Sequence, residues 1–482
     1  MKKYWPIYAL TFLLFIGCSK DNDDEIPVVP NEVTVQNFMW RAMNLWYFWQ
    51  EDVPTLSDTR FATNTEFETY LAQYPDPEVF FESQLLYSED RFSFLAEDYS
   101  DLVNSFAGIS KTNGLEFGLV QAQNSNNVFG YVRYVLPNSD ASSKAIQRGD
   151  IFLGVNGTRL TIDNYASLLY SNSDTYTLNM GTYTNGVLTE NNVEVSLTKE
   201  ANYQENPVFL TDVIEQGDHK IGYLVYNGFI SNYDEELNDA FGTFKAAGVT
   251  DLVLDVRYNP GGSVNSSRLL ASMIYGTDNS QLYIKQRWNS KIQAQLSAAQ
   301  VEDYFTATTN DGSALNTLNL DKVYVLATRS SASASELLMN GLAPYINVIH
   351  IGNTTRGKNE FSITLVDLPS NSYIYNSNQE SSINQENRWG LQPLVGRNEN
   401  ADGFFDYTTG LVPDIELNED LSNLGVLGNP NEPLLARAIA EITGDGGKFT
   451  FNEAPFVIEL NDSKHGNPIK NRMVLDKPID FQ

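Results

Sequence analysis

Seven consecutive residues, Ser330-Ser331-Ala332-Ser333-Ala334-Ser335-Glu336, gather four hydroxyls directly ahead of an apolar helical stretch. Ser333 and Glu336 have the spacing of a capping box, so Ser333 is expected at a helix N-terminus. A well-capped helix would account for that spacing by itself. A hydroxyl placed there can also act as a nucleophile, because the free N–H groups of the first turn and the helix dipole stabilise an oxyanion formed beside it. Serine attacks well only when a base removes its proton. The three histidines, His219, His350 and His465, stand without Cys, His or carboxylate neighbours at metal-ligand spacing. A zinc site is therefore not expected, and no metal or organic cofactor is called for. Neither Gly-x-x-x-x-Gly-Lys-Ser/Thr nor Gly-x-Gly-x-x-Gly occurs, so nucleotide chemistry has no support.

The serine run closely follows an apolar strand, Val323 to Ala327, and opens a helix expected to reach Pro344, with a further strand at Val348 to Ile351. Upstream, a strand at Ile221 to Val225 precedes a helix started near Ser231 and Asp234. That helix carries Leu237, Phe241 and Phe244 on one face and is closed by Gly248. Leu252 to Val256 reads as another strand, followed by a glycine turn and a helix with Leu269, Leu270, Met273 and Ile274. Strand–helix alternation of this kind argues for an α/β core over residues 201–445. Residues 108–200 have a different texture, with strand patterns at 128–135 and 193–197 and turn signals at 137–139 and 156–157, and read as a mainly β module. Residues 33–107 show helical spacing of Phe38, Ala42, Leu45 and Trp46, then Phe67, Tyr70, Leu71 and Tyr74, with no visible chemistry. Residues 446–482 form an unassigned extension.

The run SASASE, followed 25 residues after Ser333 (358 − 333) by Gly357-Lys358, resembles the C-terminal processing (tail-specific) protease family. So does Leu254-Asp255-Val256-Arg257-Tyr258-Asn259-Pro260-Gly261-Gly262, and the order of these motifs agrees. The resemblance covers roughly residues 110 to 440. It implies a crotonase-like α/β protease core and a Ser/Lys dyad, with Ser333 as nucleophile and Lys358 as general base. It also implies an oxyanion hole from the Gly261/Gly262 backbone and the Ala334 amide. The demand on Lys358 is severe, since an ordinary ammonium near pKa 10.4 cannot accept a proton at neutral pH. Burial can lower it, and the strand at 348–351 and Phe361 are the candidates to provide it. Some family members place a Gln four residues after the Lys to orient it. Here that position is Ser362, a shorter third partner with a hydroxyl that can still bond an amine.

Gly114-Leu115-Glu116-Phe117-Gly118-Leu119 resembles the carboxylate-binding loop of PDZ domains. Ala145 to Gly157 resembles their helix–turn–strand signature. The resemblance implies a PDZ-like domain whose residues Leu115, Glu116, Phe117 and Gly118 bind a peptide, which adds to the sheet as an extra strand. The implied partners are protein or peptide substrates with exposed C-termini.

Lys2 and Lys3 followed by an apolar run from Tyr4 to Ile16 suit a secretory signal too short to span a bilayer. Phe15-Ile16-Gly17-Cys18 resembles the lipobox of bacterial lipoproteins, implying removal of residues 1–17 and acylation of Cys18. Cys18 is also the single cysteine, so the exported chain has no thiol catalysis or internal disulfide. Residues 18–32 read as an acidic tether resembling the surface-export tag of some Gram-negative lipoproteins, which points to an outer-membrane or cell-envelope location. Lys+Arg 31 against Asp+Glu 61 gives a net charge of −30, which repels nucleic acid and anionic lipid. The membrane is thus met through the lipid alone. Two other readings remain open: a non-catalytic peptide- or ligand-binding lipoprotein on the same scaffold, favoured by the Ser362 departure, and a structural envelope protein, with which the acidic surface is compatible.

Overall fold

The computed structural model describes residues 33–184, 187–445, 458–468, 470, 472–476 and 479. The expected signal segment, Cys18 and the tether lie outside the described residues. No described helix is long and apolar enough to cross a membrane.

The central sheet has six strands in the order Val208–Gln216, His219–Tyr226, Asp251–Asp255, Lys322–Ala327, Asn347–Gly352 and Ile415–Glu416. Its first pair is antiparallel and every later pair parallel. Alternate side chains go to opposite faces. Leu224, Leu254, Val323 and Val325 join one core, whereas Tyr223, Val225, Val253, Tyr324 and Leu326 pack on the helix Pro433–Ile442. Covering both faces explains why these strands are apolar throughout rather than alternating. The helices Asp234–Ala247, Val264–Ile274 and Ala334–Leu342 contribute to the first core, and Gly248 ends the first of them in the left-handed conformation at φ 71.

The N-terminal helix Thr34–Trp46 buries Phe38, Met39, Ala42, Met43 and Trp46 into that same core cluster, beside Tyr283 and Phe361. Trp46 donates its indole N–H to the Ser372 carbonyl at 2.7 Å, fixing the helix to the sheet domain.

Strands between Leu115 and Thr198 build a separate sheet with its own core of Leu115, Phe117, Val128, Val132, Phe152, Leu178 and Leu197, and Ile109–Thr112 pairs with Glu200–Gln204 in a two-stranded sheet. The expected strand at 128–135 is present with those limits, and 193–197 lies within the longer strand Val187–Thr198. The helix expected ahead of Gly149 is reduced to a single 3-10 turn at Ala141–Ser143, since Pro137, Asn138 and Ser139 hold the chain in turns up to it.

Two short strands lie in the extension beyond Gly446. Ile458–Asp462 forms the outer edge of the separate sheet, antiparallel to Leu115–Gln121. Met473–Val474 sits inside a second six-stranded sheet, between Gly262–Ser263 and Glu360–Ser362, parallel to both.

Candidate active site

The apolar strand Asp251–Asp255 ends in the turn Arg257-Tyr258-Asn259-Pro260-Gly261-Gly262, and the strand Lys322–Ala327 beside it ends in the serine run. Polar side chains tie the two strand ends together. Ser331 Oγ donates to the Val256 carbonyl at 2.7 Å, and Ser335 Oγ donates to the Asn259 carbonyl at 3.1 Å. The Ala332 N–H donates to that same carbonyl. Below them Arg257, fully buried, bonds Asp255 and Glu432 through both edges of its guanidinium, and also meets Glu419. Charge-assisted pairs of this kind hold orientation tightly when every donor is used. Of the alternating serines, Ser331 and Ser335 are therefore occupied in holding the turn.

Ser333 is different. It caps the helix Ala334–Leu342, its backbone stands at φ 64 and ψ −113, and it is fully buried. That conformation is strained for a residue with a Cβ, and strain of about 1–3 kcal/mol persists only where surrounding structure enforces it. Its Oγ has no hydrogen-bond partner among the described residues. Gly261 lies directly against it, and a side chain there would strike both Ser333 and the Arg472 carbonyl. At φ 109 the position also demands glycine.

Lys358 is likewise fully buried, and its Nζ has no hydrogen-bond partner among the described residues. Serine and lysine do not bond each other in this state. Burial pushes the Lys358 ammonium well below its ordinary range. The Arg472 charge pushes the same way, against Glu360, Asp90 and Glu336. The ring nearest Nζ comes from the N-terminal region, with Phe92 centred 5.4 Å away. Arg91 beside it donates to the Gly357 carbonyl at 2.6 Å. The region without visible chemistry in the sequence thus closes the lysine side of the site. Phe361, expected to do so, packs in the core against Trp288.

Glu336 joins the two halves. One carboxylate oxygen accepts the Ser333 N–H at 2.7 Å and the Lys358 N–H at 2.9 Å; the other accepts the Gly357 N–H at 2.7 Å and the Thr355 hydroxyl. Burial raises its carboxyl pKa, while these donors pull it back. The sequence identifies Glu336 as a cap, but its second hold, on Gly357 and Lys358, exists only in the folded chain.

The remaining expected residues fall as follows. The Gly261 N–H donates to Asn259 Oδ1 at 2.9 Å and so is turned into its own loop. The Gly262 N–H donates to the Arg472 carbonyl at 2.6 Å. Ala334 supplies the first amide of its helix, one of those without an intrahelical partner. Ser362 Oγ donates to the Met473 carbonyl at 3.1 Å and accepts from Gln392 at 3.0 Å, so its bonds run to the tail strand and to Gln392 rather than to Lys358. Leu115, Glu116, Phe117 and Gly118 begin the strand that the tail edge covers. The Leu115 N–H goes to Asn113 and the Phe117 N–H to Ser463 Oγ. Burial raises the Glu116 carboxyl to about 7, countered by Lys464.

Residues 220–397 match the model of peptidase family S41, and residues 34–94 match the peptidase S41 N-terminal domain. The carboxy-terminal processing protease CtpB of Bacillus subtilis (strain 168) is 24% identical over 269 residues, covering 55% of this chain and 49% of that protein. CtpA of the same organism is 26% identical over 144 residues, 30% of this chain and 27% of that one. The chain thus spans about half or less of the curated relatives it matches. Among solved structures, a protein described as an S41 protease from Bacteroides fragilis NCTC 9343 superposes with TM-score 0.63 at 26% identity. That match covers 92% of this chain and 99% of that one.

Proposed function

From a chain that belongs to peptidase family S41, we infer a serine endopeptidase that hydrolyses exported proteins near apolar, unstructured C-termini through Ser333 and Lys358. The observation that carries this reading is a buried serine hydroxyl and a buried lysine amine, each without a hydrogen-bond partner among the described residues, whose backbones are clamped by one carboxylate. Two orphaned polar groups in a closed site are costly unless they are used.

In the first step Ser333 Oγ bonds to the scissile carbonyl carbon while its proton passes to neutral Lys358 Nζ. The negative charge that develops on the carbonyl oxygen meets the Gly262 and Ala334 N–H groups. Collapse breaks the C–N bond, and Lys358 returns the proton to the leaving amine. Water then attacks the acyl ester, its proton goes to Lys358, and Ser333 leaves with a proton restored. Gly261 acts by giving the nucleophile room, and Ser362 by accepting or donating along a bound chain.

The separate sheet serves as a PDZ-like module that takes an extended peptide on the edge of Leu115–Gln121. Cys18 carries the lipid that holds the enzyme at the cell envelope. Labelled palmitate retained by the wild type and lost in Cys18→Ser checks that anchor. For the chemistry, an unfolded protein is incubated with wild type, Ser333→Ala and Lys358→Ala. Hydrolysis by the wild type alone is expected, together with phosphonate labelling at Ser333. Full activity in either variant overturns the dyad, and a wild type that neither labels nor cleaves leaves a binding lipoprotein.

A further inference from the structure

The two short strands of the C-terminal extension occupy, in order, the two places an incoming peptide would use. Ile458–Asp462 runs antiparallel along Leu115–Gln121, with Glu459 opposite Val120 and Asp462 opposite Gly118. Its chain direction carries it toward the Gly114–Gly118 loop, where Ser463 exchanges bonds with Phe117: the Ser463 N–H donates to the Phe117 carbonyl at 3.0 Å, and Ser463 Oγ accepts the Phe117 N–H at 3.2 Å. Ser463 Oγ also donates to Glu116 at 2.6 Å. A free C-terminal carboxylate would meet that buried Glu116 and its neighbour Glu205. The segment that lies there is instead an internal one, and it brings Lys464 to Glu205 at 3.3 Å. Asp462 anchors the strand between Arg133 at 3.5 Å and Lys470 at 2.8 Å.

The second stretch enters the catalytic cleft. The Arg472 carbonyl accepts the Gly262 N–H, Met473 is fully buried, and the Met473 carbonyl accepts from Ser362. The Leu475 N–H donates to the Ser362 carbonyl at 3.0 Å, and Asp476 accepts the Ser263 hydroxyl at 2.6 Å. Gly262–Ser263 and Glu360–Ser362 are not paired with each other; the tail strand fills the slot between them. A carbonyl on the Gly262 amide, against the glycine that touches Ser333, stands where the carbonyl of a scissile bond would stand.

We propose that Ile458–Asp462 and Arg472–Asp476 are a tethered occupant of this chain's own substrate path, the first bound as a strand on Leu115–Gln121 and the second between Gly262 and Ser362, and that a protein substrate reaches Ser333 only by displacing them. The proposal rests on the protease reading above for its consequence, though not for the occupancy itself. The displacing ligand is an extended polypeptide, which reproduces both strand pairings with its own backbone. An occupied path lowers apparent affinity by the fraction of chains that are open.

Two full-length variants release the tail at different points. Met473→Glu puts a charge into the buried slot, and Asp462→Arg sets like charges against Arg133 and Lys470. Cleavage of an unfolded protein is followed beside hydrogen exchange of residues 458–462 and 472–476. With the path self-occupied, both variants exchange faster in the tail and cleave with KM lowered about tenfold. A synthetic peptide of residues 458–476 then inhibits them in trans. Where the wild type cleaves, rapid exchange without any gain in cleavage overturns the proposal, and unprotected tail exchange in the wild type overturns it in every case. To separate the two readings, the labelled peptide is also titrated into the Ser333→Ala forms of both variants by anisotropy. Binding there with no hydrolysis by any chain sinks the protease reading and keeps the occupancy, whereas absence of binding sinks the occupancy alone.

Discussion

The Ser333/Lys358 centre and the tail that lies across it are held by opposite means. At the centre each group is fixed by neighbours that have nowhere else to go. Ser331 and Ser335 lock the glycine turn, Arg257 spans three carboxylates below it, and Glu336 grips the Ser333 and Lys358 backbones. The tail is held by short strand pairings, a few ion pairs and the buried side chains of Arg472, Met473 and Leu475, all on surfaces that the rest of the chain supplies. Rigid placement suits groups that must meet a transition state within a fraction of an ångström. Marginal, mostly backbone pairing suits a segment that has to leave. The same molecule thus puts its stability under the chemistry and its freedom over it.

The largest effect separating the regions is catalytic. Ser333→Ala and Lys358→Ala should each lower kcat by about 10⁴-fold or more, and the double variant should be no worse than the poorer single one, because groups acting as a unit are not additive. Additive losses in single-turnover rates would show that the two act separately. No tail substitution should approach that loss.

Glu336→Gln comes next. An amide N–H would then face donors that now all point at a carboxylate, leaving buried groups unmatched at a cost of about 1–3 kcal/mol. Because Glu336 positions rather than reacts, kcat should fall about 10²-fold with KM little changed, and Glu336→Asp should recover part of it. An unchanged kcat in a folded Glu336→Gln enzyme would make the carboxylate a mere cap.

The stability contrast is smaller. Leu254→Ala, in the central sheet, should destabilise the whole chain by about 2–5 kcal/mol in denaturant unfolding. Met473 is equally buried, yet Met473→Ala should speed hydrogen exchange in the tail alone and leave the global midpoint nearly in place. A shift of the midpoint as large as that of Leu254→Ala would mean that the tail is part of the core.

What the sequence made legible follows the same division. The strand ending in Asn-Pro-Gly-Gly, the serine cap and the apolar strands are contiguous, so spacing and periodicity expose them. Glu336 was visible as half of a capping box, but its grip on Gly357 and Lys358 depends on a loop returning to the helix mouth. Phe92 and Arg472 reach Lys358 from opposite ends of the chain, and neither sits in a pattern that marks it. The tail strands were illegible because two to five residues carry no periodicity of their own. Gly262, Ser362 and the Leu115 edge, which they complete, define them as strands.

The finest effect ties the regions together through charge. Arg472 is the strongest charged neighbour lowering the Lys358 pKa, second only to burial. Burial draws its own guanidinium down to about 10, which leaves it charged at neutral pH. Lys358 works as a base only when neutral, so activity should rise with pH through its lowered pKa and then level off. While the tail is seated, removing the charge in Arg472→Ala raises that pKa and Arg472→Lys holds it in place; once substrate has displaced the tail, neither substitution should move the acid limb of kcat. Stability moves in the same sense. With the folded pKa below the unfolded value near 10.4, the unfolded chain binds the extra proton between them, and stability rises with pH across that window. Lys358→Met should flatten this rise and add about 0.5–2 kcal/mol at neutral pH, since an active site surrenders stability to keep its amine buried. An acid limb of kcat that moves to higher pH in Arg472→Ala would mean that the tail still lies beside the lysine when it works.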